Sequence, residues 1–96
     1  MKYRILPDAQ QDLREIDNWV AENFGHDFAI ETETSIYKAF DLLAQYPNLG
    51  HTRRDVESRP VRFYFIDPYW IIHQPDIPLL IHRVFHGARD PRTAFS

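Results

Sequence analysis

The spacing of apolar residues along the chain changes character twice. Tyr3 to Leu6 form a short apolar run closed by Pro7, which predicts a first strand. From Pro7-Asp8 onward, Ala9, Leu13, Ile16, Val20 and Phe24 recur at intervals of three or four, the stripe of an amphipathic helix. Asp8, Asp12 and Glu15 fall in its first turns, where carboxylates suit the positive end of the helix dipole. Asn23-Phe24-Gly25 is a stop, with Gly25 able to take the left-handed position beyond the last turn. Asp27 is placed to cap a second helix. There Phe28, Thr32, Ile36, Ala39, Phe40, Leu43 and Tyr46 repeat the period until Pro47 ends it. So short a joint predicts an antiparallel helical hairpin.

Residues 47–58 are polar and turn-rich, and after them the period becomes two. Val61, Phe63 and Phe65 alternate with Arg62, Tyr64 and Ile66, then Asp67-Pro68 makes a turn. Tyr69 to Gln74 read as a strand, Pro75 to Pro78 as a hairpin loop and Leu79 to Phe85 as the last strand. The order is β-α-α-β-β-β in one domain spanning 1–96. That is an α+β fold, predicted as an antiparallel sheet with the hairpin packed on one face.

Composition narrows the function classes. The 96 residues include no cysteine, which excludes disulfides and every thiolate site. No apolar run reaches the ~18 residues of a membrane span, and the N-terminus lacks a signal-peptide pattern, so the expected location is cytoplasmic. The net charge of −3 argues against a general nucleic-acid binder, and no direct DNA binding is expected. The charge is unevenly spread. Residues 1–50 carry four Lys/Arg against nine Asp/Glu, and residues 51–96 seven Arg against five Asp/Glu. Arginine alone in the second half suits bidentate contact with carboxylate or phosphate.

Familiar catalytic constellations are missing. His82 and His86 have a metal-like spacing, but on a strand four residues span about 13 Å, too far for one ion. No serine sits in a Gly-x-Ser-x-Gly turn, the glycines at 25, 50 and 87 form no phosphate loop, and neither metal nor cofactor is expected. The carboxylate pairs Asp12/Glu15 and Glu31/Glu33 read as solvated helix faces. What remains is Arg62, Arg83, His86, Arg89 and Arg92, with Tyr64 and Tyr69 nearby. Such a set can cleave RNA without metal, a group near neutral pKa moving the 2′-hydroxyl proton while arginines stabilise the phosphorane. It can equally pair with carboxylates of a protein partner. Taken alone, the residues favour binding over catalysis.

Pro47-Asn48-Leu49-Gly50, Arg62, Tyr69 and Arg83-Val84-Phe85-His86-Gly87-Ala88-Arg89-Asp90 resemble the RelE/ParE superfamily of toxins from type II toxin–antitoxin modules. Ile5-Leu6-Pro7-Asp8-Ala9 with Asp12-Leu13 and Ile16 looks like that family's first strand and helix, and the closing His-Gly-Ala-Arg-Asp resembles the ParE-like branch. The resemblance implies a toxin neutralised by a cognate antitoxin of the ribbon-helix-helix type, and a block on DNA gyrase. The alternative it implies is ribosome-dependent mRNA cleavage as in the RelE branch. That branch's two strand lysines would fall near Val61 and Phe63, its central arginine at Trp70 and its C-terminal tyrosine near Phe95; Arg89 alone is retained. A nuclease would have to use His86, Arg89, Arg62 and Arg83. The binding reading places target contacts on Arg89, Arg92 and Phe95, and antitoxin contacts on Arg53, Arg54 and Arg83. His73 and Gln74 depart from the ParE-like pattern, a difference expected to alter the target surface.

Overall fold

The structure, a computed structural model, describes residues 2–88. Its elements are β1 (Tyr3–Ile5), α1 (Pro7–Phe24), α2 (His26–Gln45), β2 (Arg62–Ile66), β3 (Tyr69–Gln74) and β4 (Leu79–His86). Pro7 opens α1 at a position where its missing N–H costs nothing. Gly25, at φ +97°, is the whole joint between the helices. Its N–H donates to the Ala21 carbonyl, closing α1, and its own carbonyl accepts from Ala29, opening α2. Asp27 therefore lies inside the first turn of α2 rather than capping it, and still faces the dipole there.

The four strands form one sheet in the order β1-β4-β3-β2. The last three run antiparallel, as their short turns require, but β1 pairs parallel to β4 through Tyr3↔Leu79, Arg4↔Leu80 and Ile5↔Ile81. The sheet is thus mixed. The predicted wholly antiparallel arrangement gives way because the hairpin carries the chain back before β2, leaving β1 to join the far edge.

Both faces of the sheet are apolar. Against the hairpin, Ala9, Ile36, Phe40 and Leu43 pack on Tyr69, Ile71, Leu79, Ile81 and Val84. On the opposite face Val61, Phe63, Ile72 and Phe85 form a second cluster with Val56 and Trp70. Between the two, β4 changes register. Ile72 pairs with Arg83 and His73 with Ile81, so His82 is an extra residue, a β-bulge. The bulge puts His82 and Arg83 on the same side and lets Ile81 and Val84 both reach the hairpin face, which strict alternation would forbid.

Two polar fastenings hold these layers. The Asp12 carboxylate of α1 accepts from Arg83 Nε (2.7 Å) and Nη2 (2.9 Å) and from the Val84 N–H (3.0 Å). Asp12 is buried, against its reading as part of a solvated face. Gly50, at φ +90°, lies so close to β2 that an added Cβ would collide with the Phe63 carbonyl oxygen. Next to it, His51 and Phe63 exchange both backbone hydrogen bonds (2.9 and 2.7 Å). Gly50→Ala must therefore move backbone as well as strain φ, whereas nothing lies within 4 Å of a Cβ on Gly25. In urea denaturation, Gly25→Ala should cost about 1 kcal/mol and Gly50→Ala at least twice that. Equal losses would show that the close approach at Gly50 has no energetic weight.

Candidate functional site

The loop 47–51 is built by side chains from the sheet. Arg62 and His73 are direct partners in the β2–β3 ladder, so both face the hairpin side. There Arg62 Nη2 donates to the Gly50 carbonyl (2.9 Å), and His73 Nε2 lies 3.0 Å from the Pro47 carbonyl. A carbonyl only accepts, so Nε2 carries a proton in this contact. Burial pushes the His73 pKa below its usual value, and the Arg62 charge adds to this against the opposing pull of the Pro47 and Leu49 carbonyls. His73 has no exposed surface, so it cannot alter a target surface; it fastens the loop instead.

Among the described residues, the arginine and histidine side chains named from the sequence are not gathered into one place. Arg83 is opposite Ile72 on the far face, and its guanidinium is bidentate on Asp12. That contact raises its pKa and makes it a fastening of the fold. Arg62 and His86 occupy opposite ends of the ladder. Arg62 pairs with His73, while His86 pairs with Tyr69, four positions or about 13 Å along β3. His86 is exposed on the hairpin side beside the Tyr69 ring (5.9 Å), and its Nδ1 accepts from the Ala88 N–H (3.0 Å). His82 points to the other face, where its Nε2 donates to Gln74 Oε1 (2.9 Å). Burial also lowers the His82 pKa, aided by Arg59 and opposed by Glu57. Opposite faces part His82 from His86 more decisively than distance does.

On the loop over the second face, Arg53 is bidentate on Asp55 (3.2 and 3.1 Å) and Arg59 on Glu57 (2.9 and 3.0 Å). Arg54 is exposed and reaches the Ser58 carbonyl at 3.4 Å. Val61 and Phe63, the positions compared with nuclease lysines, are buried in the second apolar cluster, and Trp70 packs on it. Trp70 stands 4.8 Å from the Phe65 ring. A phosphate brought there would meet hydrocarbon. Arg89, Arg92 and Phe95 lie outside the described residues.

Two features escaped the sequence reading. One is Asp12, although its spacing from Ala9 and Ile16 puts it on the buried stripe. The other is a row of half-exposed rings, Trp19, Phe24 and Phe28, with centroids 5.7 and 5.4 Å apart at the hairpin tip. Among the described residues no helix is long and apolar enough to cross a membrane.

The fold and the motifs that build it can be set against known proteins. Residues 3–91 match the family model described as "ParE toxin of type II toxin-antitoxin system, parDE". The chain belongs to the ParE toxin family. A solved structure titled "Chromosomal ParDE TA system from P. aeruginosa" contains a chain of the same fold. It is 21% identical, with a TM-score of 0.74, covering 90% of this chain and 95% of that one. No curated protein sequence matches. The family match spans both the Pro47–Gly50 segment and the Arg83–Asp90 run.

The neutral, buried His73 has a consequence for stability. Above pH 6.5 the imidazole is uncharged in both folded and unfolded chains. Below it the unfolded chain takes up a proton that the folded one resists, so stability falls as pH drops from about 6.5 toward the lowered folded value. The slope for one such group is at most about 1.4 kcal/mol per pH unit. His82 acts in the same direction. Urea midpoints should therefore decline between pH 7 and 5, and His73→Gln should flatten the decline. An unchanged slope in that variant would remove His73 as its source.

Proposed function

We propose that this protein is a toxin held in check by a cognate antitoxin, and that it acts in the cytoplasm by binding and blocking DNA gyrase, without cleaving RNA. The observation that carries the reading is the fate of the cationic set. Arg83 is committed to Asp12, Arg62 to the Gly50 carbonyl on the other face, and His86 stands at the far end of the ladder. Phosphoryl-transfer stabilisation needs donors converging on one developing charge. Here the positions compared with nuclease lysines form an apolar cluster instead. Family membership supports the toxin role.

The antitoxin we envisage is of the ribbon-helix-helix type, with a C-terminal segment that orders on the toxin and so needs apolar surface to offset the entropy lost. Its acidic residues would meet the loop carrying Arg53 and Arg54, where each exposed pair is worth about 0.2–1 kcal/mol. Target recognition is assigned to Arg89, Arg92 and Phe95, since the run after Ala88 holds few apolar residues that could serve a core.

Expressed without antitoxin, the protein should stop gyrase-dependent supercoiling while mRNA stays intact in a translating extract. Codon-phased cleavage abolished by His86→Ala or Arg89→Ala would make it a ribosome-dependent nuclease. Truncation after Asp90 should leave a folded protein that binds antitoxin yet no longer inhibits growth. If the truncated protein stays toxic, target contacts lie elsewhere.

A further inference from the structure

The side chains that hold the 47–51 loop each use one nitrogen on it. His73 Nε2 meets the Pro47 carbonyl, and Arg62 Nη2 donates to the Gly50 carbonyl. A second nitrogen of each, His73 Nδ1 and Arg62 Nε, is buried without any hydrogen-bond partner. Folded proteins seldom leave such atoms unpaired, because each has lost its hydration and gained no contact for it. The two residues are direct partners in the β2–β3 ladder, so their side chains leave the sheet together on the hairpin side.

The two atoms are opposite in kind. A guanidinium Nε–H can only donate. With a proton on Nε2, as the Pro47 contact requires, an uncharged imidazole offers only a lone pair at Nδ1. The ring is uncharged near neutral pH, since burial and the Arg62 charge outweigh the pull of the Pro47 and Leu49 carbonyls. A donor and an acceptor that neighbour but do not bond each other need a group that accepts from one and donates to the other. The Leu49 carbonyl supplies a third site. It acts on the same ring, and among the described residues no protein group donates to it.

Chemistry narrows the occupant. His73 has no exposed surface, so the group is small and enclosed. A metal cation cannot accept from Nε–H and is repelled by the guanidinium. Chloride can accept there but has no proton for Nδ1. Water does both, and its second O–H is left for the Leu49 carbonyl. Enclosed waters in proteins make about three hydrogen bonds, and three partners are present here.

We propose that one enclosed water completes the loop anchor, accepting from Arg62 Nε–H and donating to His73 Nδ1 and to the Leu49 carbonyl. The carbonyls of Pro47, Leu49 and Gly50 are then taken in turn by His73, by the water and by Arg62. The anchor becomes one network, in which loss of either side chain strands the inward nitrogen of the other. The site concerns the loop alone and stands whether or not the protein acts on gyrase.

NMR of the wild-type protein at neutral pH tests this in two independent ways. The imidazole nitrogen shifts of His73 should report the Nε2–H tautomer, with Nδ1 as a hydrogen-bonded acceptor. Water cross-peaks to the His73 ring should carry opposite signs in the laboratory-frame and rotating-frame experiments, the mark of a long-lived water. His73→Phe keeps a ring and removes both nitrogens, so water relaxation dispersion should show the loss of one long-lived water. Thermal melting checks that this variant folds; if it does not, the wild-type measurements decide. A protonated Nδ1 bonded directly to the Leu49 carbonyl overturns the proposal, as do missing ring cross-peaks or an unchanged water count in folded His73→Phe. In a high-resolution crystal structure, a water oxygen should lie within hydrogen-bond distance of all three atoms. Chloride or a protein atom in that place overturns the proposal as well.

Discussion

One buried carboxylate fixes how the two layers of this protein meet. Burying an ionised group unpaired would cost several kcal/mol, so the Asp12 site is stable only because Arg83 and the Val84 N–H reach it together. The constraint is geometric as well as energetic. It sets the rotation of α1 over the sheet and its height along β4, and it substitutes for the strand that β1 is too short to supply. Arg83 can serve because the bulge at His82 places it on the side of the sheet away from the hairpin, at an edge it can reach around. Were β4 regular, the alternation would turn the wrong residues toward the hairpin, and the core would lose either Ile81 or Val84.

A second fastening at the opposite end of the sheet depends on the first. With α1 fixed by Asp12 and α2 joined to it through Gly25 alone, the end of α2 has little freedom in where it delivers Pro47. The loop then has to pass tightly over β2, which is why Gly50 sits where no Cβ fits and why Arg62 and His73 turn inward to take its carbonyls. The remaining residues to Pro60 fold over the second face and cover Phe63 and Ile72. Arg62 and His73, polar side chains on the hairpin side of the sheet, are the means by which this short loop is held down.

Much of the fold was legible because period and punctuation agree. The switch from a period of three or four to a period of two falls at the polar stretch before Val61, and Pro7, Gly25, Pro47, Pro68 and Pro78 mark the ends. Parallel pairing of β1 was not legible, since a three-residue strand carries no information about its neighbour. The bulge was hidden for a related reason: burial on both faces of β4 erases the alternation that would reveal a slip. The candidate site was less legible than the fold. Charge and residue type gather Arg62, Arg83 and His86 into one set, but a strand sends adjacent positions to opposite faces and separates its ends by more than 10 Å. Asp12 was misjudged because its residue type suggested solvent while its spacing from Ala9 and Ile16 suggested the core.

The uneven charge of the two halves takes on a different meaning in the folded protein. Arg53 and Arg59 are matched locally by Asp55 and Glu57, and Arg83 is matched across layers by Asp12. Among the described residues, three arginines of that half are therefore offset by carboxylates within the fold. The helices, by contrast, keep most of their carboxylates exposed, including Glu15, Glu22, Asp27 and Glu31 around the aromatic tip. Lys2–Asp41 is a long and solvated pair at 3.7 Å, far from that tip. Among the described residues, a concentration of exposed carboxylates thus lies on the hairpin, next to its exposed rings. A partner steered by charge would be drawn there first and held there by apolar contact, because exposed ion pairs set approach and register more than they set affinity.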